Sequence, residues 1–154
     1  MEQRKEANGE AIAKSMLVLS KIKVPVIAIV IGEGSSGGAL ALGVGNKVLM
    51  LENAIYSILS PEGYASILWK DASRTKEAAE KMKLTAKDLY DLKIIDKIIK
   101  EPTGDEEESF KKVSKSLKRE ITKIIDEMKS KTPEEIVEER YQKFRNMGEY
   151  RKID

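Results

Sequence analysis

An unbroken apolar run, Val24-Pro25-Val26-Ile27-Ala28-Ile29-Val30-Ile31, passes directly into Gly32-Glu33-Gly34-Ser35-Ser36-Gly37-Gly38-Ala39-Leu40-Ala41. A strand with one face in water alternates apolar and polar residues, and this one does not alternate. It therefore predicts a parallel strand buried on both faces, in an α/β fold. After it, four glycines and two serines in the seven positions 32–38 allow a sharp turn and bring main-chain N–H groups to a helix start with little side chain in the way. In outline that is a cradle for an oxyanion or a phosphate.

Composition narrows the chemistry such a cradle can serve. The chain of 154 residues has no cysteine and no histidine. Disulfides, thiolate zinc sites and cysteine nucleophiles are excluded, and so are the usual general base and the commonest metal ligand. What remains is backbone dipoles, carboxylates, Lys, Ser and Tyr, or groups supplied by another subunit. The 28 Lys and Arg nearly balance the 26 Asp and Glu, which implies no nucleic-acid footprint. The longest apolar run falls well short of the roughly 20 residues of a membrane-spanning helix, and no signal peptide is legible, so a cytoplasmic protein without membrane contact is expected.

Taken in order, Met1 to Lys23 reads as a helix with Ala11, Ile12, Ser15, Met16, Leu19 and Ile22 on one face, ended by Pro25. After the strand and turn, a short helix is expected from Gly38 to about Gly43, then strands over Asn46–Leu51 and Ile55–Leu59. Ser60-Pro61-Glu62-Gly63 is a helix start, with Ser as cap, Pro at the first helical position and Glu at the positive end. Asp71 to Met82 reads as helix, Thr85-Ala86-Lys87-Asp88 as a capping box, and Ile94–Ile99 as a last strand. From Asp105 the chain is heavily charged, with a thin apolar stripe of Phe110, Val113, Leu117, Ile121, Ile124, Ile125 and Met128. Thr132-Pro133-Glu134-Glu135 caps a second helix that Gly148 is expected to stop. Two domains are expected: 1–104, an α/β unit, and 105–154, a charged helical extension too thin in apolar surface to form its own core.

Three functional readings compete for the glycine turn. A P-loop needs Gly-Lys-Ser/Thr where this chain has Gly37-Gly38-Ala39, which removes both the lysine and the magnesium hydroxyl. A dinucleotide fingerprint fits Gly32-x-Gly34-x-x-Gly37 with Glu52 some 20 residues on, but the crossover helix it requires has no room. A backbone oxyanion site asks only for small residues and is untouched by the missing His and Cys. Against it stands a tight turn in which glycine serves packing alone, and the residues by themselves leave those two open.

Several separated motifs carry a resemblance: Ile29 to Ala41, Leu49-Met50-Leu51-Glu52-Asn53-Ala54-Ile55-Tyr56-Ser57, Ser60-Pro61-Glu62-Gly63, Leu68-Trp69-Lys70-Asp71 and Glu139-Arg140-Tyr141-Gln142-Lys143-Phe144-Arg145. In this order they resemble the α subunits of bacterial acetyl-CoA carboxylase carboxyltransferase, from about Glu10 onward. The resemblance implies a partial crotonase-like ββα spiral, here with a C-terminal helical extension. It implies transfer of carboxyl from carboxybiotin, carried on a biotin carboxyl carrier protein, to acetyl-CoA, giving malonyl-CoA for fatty acid biosynthesis. It also implies a zinc-containing β subunit as partner in an α2β2 assembly, with no metal in this chain. On this chain the N–H groups of Gly37 and Gly38 become the oxyanion donors, with Gly34, Ser35, Ser36 and Ala39 around the substrate. The family is about twice as long and carries an earlier Gly-Ala-Tyr-Pro-Gly loop, so the isolated chain is expected to be inactive. Two departures stand out: Lys5-Glu6-Ala7-Asn8 where Glu-Arg-Gly-Gln is usual, and Ser35 where glycine is usual.

Other residues have a plain reading beside a functional one. Glu62 could orient substrate or only meet the helix dipole, Gly63 and Tyr64 lie beside it, and Trp69 could face biotin or fill core. The rival functions are another crotonase-like acyl-CoA enzyme and a non-catalytic interaction module.

Overall fold

The computed structural model describes residues 2–148, with side chains from Gly9 onward. Met1 and residues 149–154 of the expected helical extension lie outside the described residues, as do the side chains of Lys5, Glu6 and Asn8. Helix α1 (Glu2–Lys21) leads to strand β1 (Ile27–Val30), strand β2 (Glu33–Ser35) and helix α2 (Ser36–Leu42). A second set follows as β3 (Lys47–Leu51), β4 (Ile55–Ser57) and α3 (Pro61–Trp69). A 3-10 turn over Ala72–Arg74, α4 (Thr75–Lys81) and α5 (Ala86–Asp91) lead to β5 (Lys97–Ile99), and α6 (Glu106–Met128) and α7 (Pro133–Arg145) complete the chain.

The repeating unit is strand, strand, helix. Its first strands form one parallel sheet in the order β1-β3-β5, and its second strands form another, β2 beside β4. Register is regular: Ile27 to Val30 pair with Lys47 to Met50, and Leu49 to Leu51 with Lys97 to Ile99. Each of the first two turns of the chain thus adds one strand to each sheet before a helix brings it back, and β5 extends the first sheet alone.

The doubly buried strand is β3, not β1. Val48, Leu49 and Met50 are at most 2% exposed, packed with Ile95, Ile99, Ile124 and Met128, whereas all four residues of β1 are only half-buried. Ile31, the end of the apolar run, is 67% exposed. The reason is position: β3 has a strand on either side, while β1 is the sheet's edge, and a strand's own residues do not reveal how many neighbours it has.

Two of the expected helix starts form as read, and several boundaries shift. Ser60 caps α3 by accepting from Gly63 N at 3.2 Å, and Thr132 and Glu135 form a reciprocal capping box on α7. Thr85 accepts from Asp88 N, but its hydroxyl donates to the Asp88 carboxylate, so only half a box forms there. The expected turn at 33–35 is strand β2, α2 starts at Ser36 rather than Gly38, and the last strand keeps only Lys97–Ile99. Asp71 to Met82 divides into the 3-10 turn and α4, with Asp71 as cap. Helix α7 ends at Arg145, short of Gly148, with Asn146 as its C-cap. On α6 the stripe packs unevenly: Ile124 and Met128 are buried and Val113 and Leu117 pack partly buried against the core, while Phe110 is 71% exposed and Ile125 is exposed as well. Ile12 and Leu19 of α1, and Ile22 just past its end, are partly buried, but Ala11, Ser15 and Met16, expected on the same face, are exposed. No helix among the described residues is long and apolar enough to cross a membrane.

Candidate functional site

The glycine turn becomes a corner between two strands and a helix. From β1 the chain steps through Gly32, whose carbonyl accepts from Ile55 N at 3.0 Å, into β2, where Gly34 pairs with Tyr56 and Ser35 with Ser57. The hydroxyls of Ser35 and Ser57 lie 3.3 Å apart. Occupied there, Ser35 gives no side-chain cap to the first turn of α2, and that turn holds no acidic residue. The first N–H groups of a helix have no partner within it, so this corner leaves main-chain donors without a side-chain acceptor.

Ser36 makes the turn itself, at φ 68°, a left-handed conformation that costs an ordinary residue about 1–2 kcal/mol. Residues held this way cluster where surrounding structure over-determines the backbone.

What each glycine is for can be told by asking what a side chain would meet. A Cβ on Gly34 would lie 3.1 Å from the Tyr56 ring, one on Gly37 would lie 3.2 Å from Ile12 on α1, and one on Gly43 would lie 2.2 Å from the Tyr56 hydroxyl. These three are glycine because neighbours pack against them. Gly38 differs: a Cβ there would meet nothing within 4 Å. Packing does not explain it.

A cleft of about 400 Å³ opens along β1 beside the corner, bounded by Ile31, Gly32, Gly34, Ala39, Gly43 and Tyr56 among others. Of the sequence-predicted residues it takes in Gly34 and Ala39. Ser35, Ser36, Gly37 and Gly38 belong to the corner but do not line this cleft. Glu62, Gly63 and Tyr64 also lie outside it. They form the first turn of α3, where Glu62 is exposed and Tyr64 sets its ring edge-on to Trp69, 5.5 Å between centres. Trp69 is itself half-buried, with the Arg74 guanidinium 4.1 Å from its ring centre. Glu52, the acid of the dinucleotide fingerprint, pairs with Lys100 and accepts from Glu101 N, and these bonds hold its carboxyl below the usual range.

Tyr56 is the cleft residue that sequence reasoning passed over. Its hydroxyl donates to the Ala39 carbonyl at 3.2 Å, and burial pushes its pKa up. The signal was an aromatic residue with a polar tip in a strand too short to bury it, and nothing local said that the strand lay beneath the glycines.

The family model for acetyl co-enzyme A carboxylase carboxyltransferase-like proteins matches residues 1–148. The chain is 51% identical over 150 residues to an acetyl-coenzyme A carboxylase carboxyl transferase subunit alpha of Clostridium acetobutylicum, covering 97% of this chain and 55% of that protein. A protein of Natranaerobius thermophilus named as subunits beta/alpha of the same transferase is 51% identical over 142 residues, covering 92% of this chain and 24% of its own length. The chain thus spans about half the length of the α subunit it matches. Among solved structures, a Pseudomonas malonate decarboxylase hetero-tetramer in complex with coenzyme A aligns with a TM-score of 0.65 at 16% identity, over 89% of this chain and 55% of that one. At such identity the likeness speaks for the fold, a crotonase-like spiral as expected.

Proposed function

The chain belongs to the acetyl-CoA carboxylase carboxyltransferase-like family, and from that premise we propose that it forms the part of a carboxyltransferase α subunit that steadies negative charge during carboxyl transfer to acetyl-CoA. The observation that carries this reading is Gly38, a glycine with open space at its Cβ in the first turn of a helix without a side-chain cap. A bare backbone there lets a substrate oxygen approach the main chain closely.

Carboxybiotin, delivered on a carrier protein, supplies the activated carboxyl group. The chain's part is electrostatic. The N–H groups of Gly37 and Gly38 donate to the oxygen on which charge gathers, Ser35, Ser36 and Ala39 shape the approach, and Gly34 keeps the strand close to the corner. With no histidine or cysteine in the chain, fixed dipoles suit it better than a titrating base. A β subunit that binds the acyl-CoA is the expected partner, and the naming of the N. thermophilus relative as beta/alpha supports that pairing. Residues 105–154 are proposed as an extension that docks on the α/β unit.

The test is Gly38→Val in the complete carboxyltransferase, followed by malonyl-CoA formation. The side chain leaves the main-chain N–H in place but blocks the oxygen's approach to it, which is expected to lower kcat about a hundredfold, as the loss of an oxyanion donor does, with the thermal midpoint unchanged because the position has room. Avidin, which sequesters biotin, is expected to stop turnover. Unchanged kinetics in Gly38→Val with intact assembly would overturn the reading in favour of an interaction module.

A further inference from the structure

The strained corner needs a brace, and only one side of it is supplied by helix packing. On that side Ile12 of α1 presses against Gly37. On the other side stands Tyr56, which touches both limbs at once: its ring lies against Gly34 of β2, and its hydroxyl sits over Gly43 and donates to Ala39 of α2. The Ala39 carbonyl also accepts from Gly43 N at 3.0 Å, so two donors fix the far end of a very short helix. Tyr56 is itself well seated. Its strand pairs with β2 in register, and its own N–H donates to the Leu84 carbonyl at 3.2 Å.

We propose that Tyr56 is a positioning residue for the carboxyl-transfer step, bracing β2 against α2 so that the main chain between them, with Ser36 in its left-handed conformation, holds the donor geometry of Gly37 and Gly38. The inference rests on the reading of the corner as an oxyanion site. A phenylalanine would fill the same space but leave the Ala39 carbonyl with one donor fewer. A tyrosine hydroxyl is protonated at neutral pH, so it is available as a donor, and burial raises its pKa further. Gly43 is the complement of Tyr56: any side chain there would collide with the hydroxyl.

The experiment uses the complete carboxyltransferase with Tyr56→Phe, Gly43→Ala and the double variant, beside Gly38→Val. Small displacements of a preorganised donor slow the chemical step more than they weaken binding. Tyr56→Phe is therefore expected to lower kcat about tenfold, with KM within about twofold and the thermal midpoint and assembly unchanged. Gly43→Ala displaces the same hydroxyl and is expected to share the defect, and the double variant to be no slower than Gly43→Ala alone. Wild-type kcat in Tyr56→Phe while Gly38→Val is slow overturns the role of Tyr56 and leaves the corner standing. Wild-type kcat in both overturns the corner as well. A fall in kcat that merely tracks a lowered thermal midpoint, or defects of Tyr56→Phe and Gly43→Ala that add in the double variant, overturns positioning in favour of plain packing.

Discussion

Ser36 concentrates the geometry of the corner in one backbone angle. At φ 68° it sits where a side chain costs about 1–2 kcal/mol, and glycine would remove that cost while losing about 0.5–1 kcal/mol of chain entropy on folding. The balance favours glycine slightly: Ser36→Gly is expected to stabilise the chain by about 0.5 kcal/mol in urea unfolding, and Ser36→Val to destabilise it by at least about 1 kcal/mol. Equal stabilities for all three would mean that the angle carries no strain. The neighbouring glycines show what could be read locally. Their clustering announced a close approach of something to the backbone, but Gly37 and Gly43 answer to Ile12 and Tyr56, far from them in sequence, and Gly38 answers to open space. Residue type alone does not separate those cases.

Among the elements, α7 docks through polar groups, Arg140 and Lys143. Lys143, its side chain 14% exposed, pairs with Asp96 just before β5, and the Asp96 carboxylate also accepts from Val48 N on β3 at 2.6 Å. Burial lowers the Lys143 pKa more than the Asp96 pairing raises it. Between that lowered value and the ordinary lysine value the unfolded chain binds more protons than the folded one, so stability rises with pH across this alkaline window. Lys143→Met is expected to flatten the rise in urea titrations, and an identical slope in the variant would show that the group does not report on folding. The helix caps of α3 and α7 were legible because Ser60 and Thr132 act on N–H groups three residues away. The uneven packing of the α6 stripe was not legible, since Phe110 and Ile124 have the same periodic signature and only the extent of the structure beneath decides which is covered.

At the scale of the whole molecule, Arg140 ties α7 to the C-terminal end of α1 and the segment that follows it. It is 1% exposed and donates to the carbonyls of Leu19 at 2.7 Å, Ile22 at 2.8 Å and Val24 at 2.8 Å, and to Asn46 Oδ1. Its bonds run to carbonyl oxygens: its charge is met by the negative end of α1 and by the amide of Asn46, which donates in turn to Ile136 O. Helix α7 thereby holds the end of α1, and α1 holds the corner through Ile12. Arg140→Ala empties the place of a buried side chain and takes a donor from several part-buried carbonyls, and is expected to cost about 3 kcal/mol or more, measured by urea unfolding. Arg140→Lys is expected to recover less than half of that loss, because a point charge cannot serve carbonyls that converge on a planar fork. Full recovery by lysine would show that charge alone suffices. The amino-acid sequence by itself determined the parallel α/β class, the strand-to-helix corner and most helix starts, because these depend on residues within a few positions of one another. Tertiary structure alone decided that β3 rather than β1 is the buried strand, that Tyr56 lies under the glycines, and that Arg140 fastens α1. Each of those facts depends on neighbours that the fold brings together across tens of residues, and no local pattern encodes which neighbours arrive.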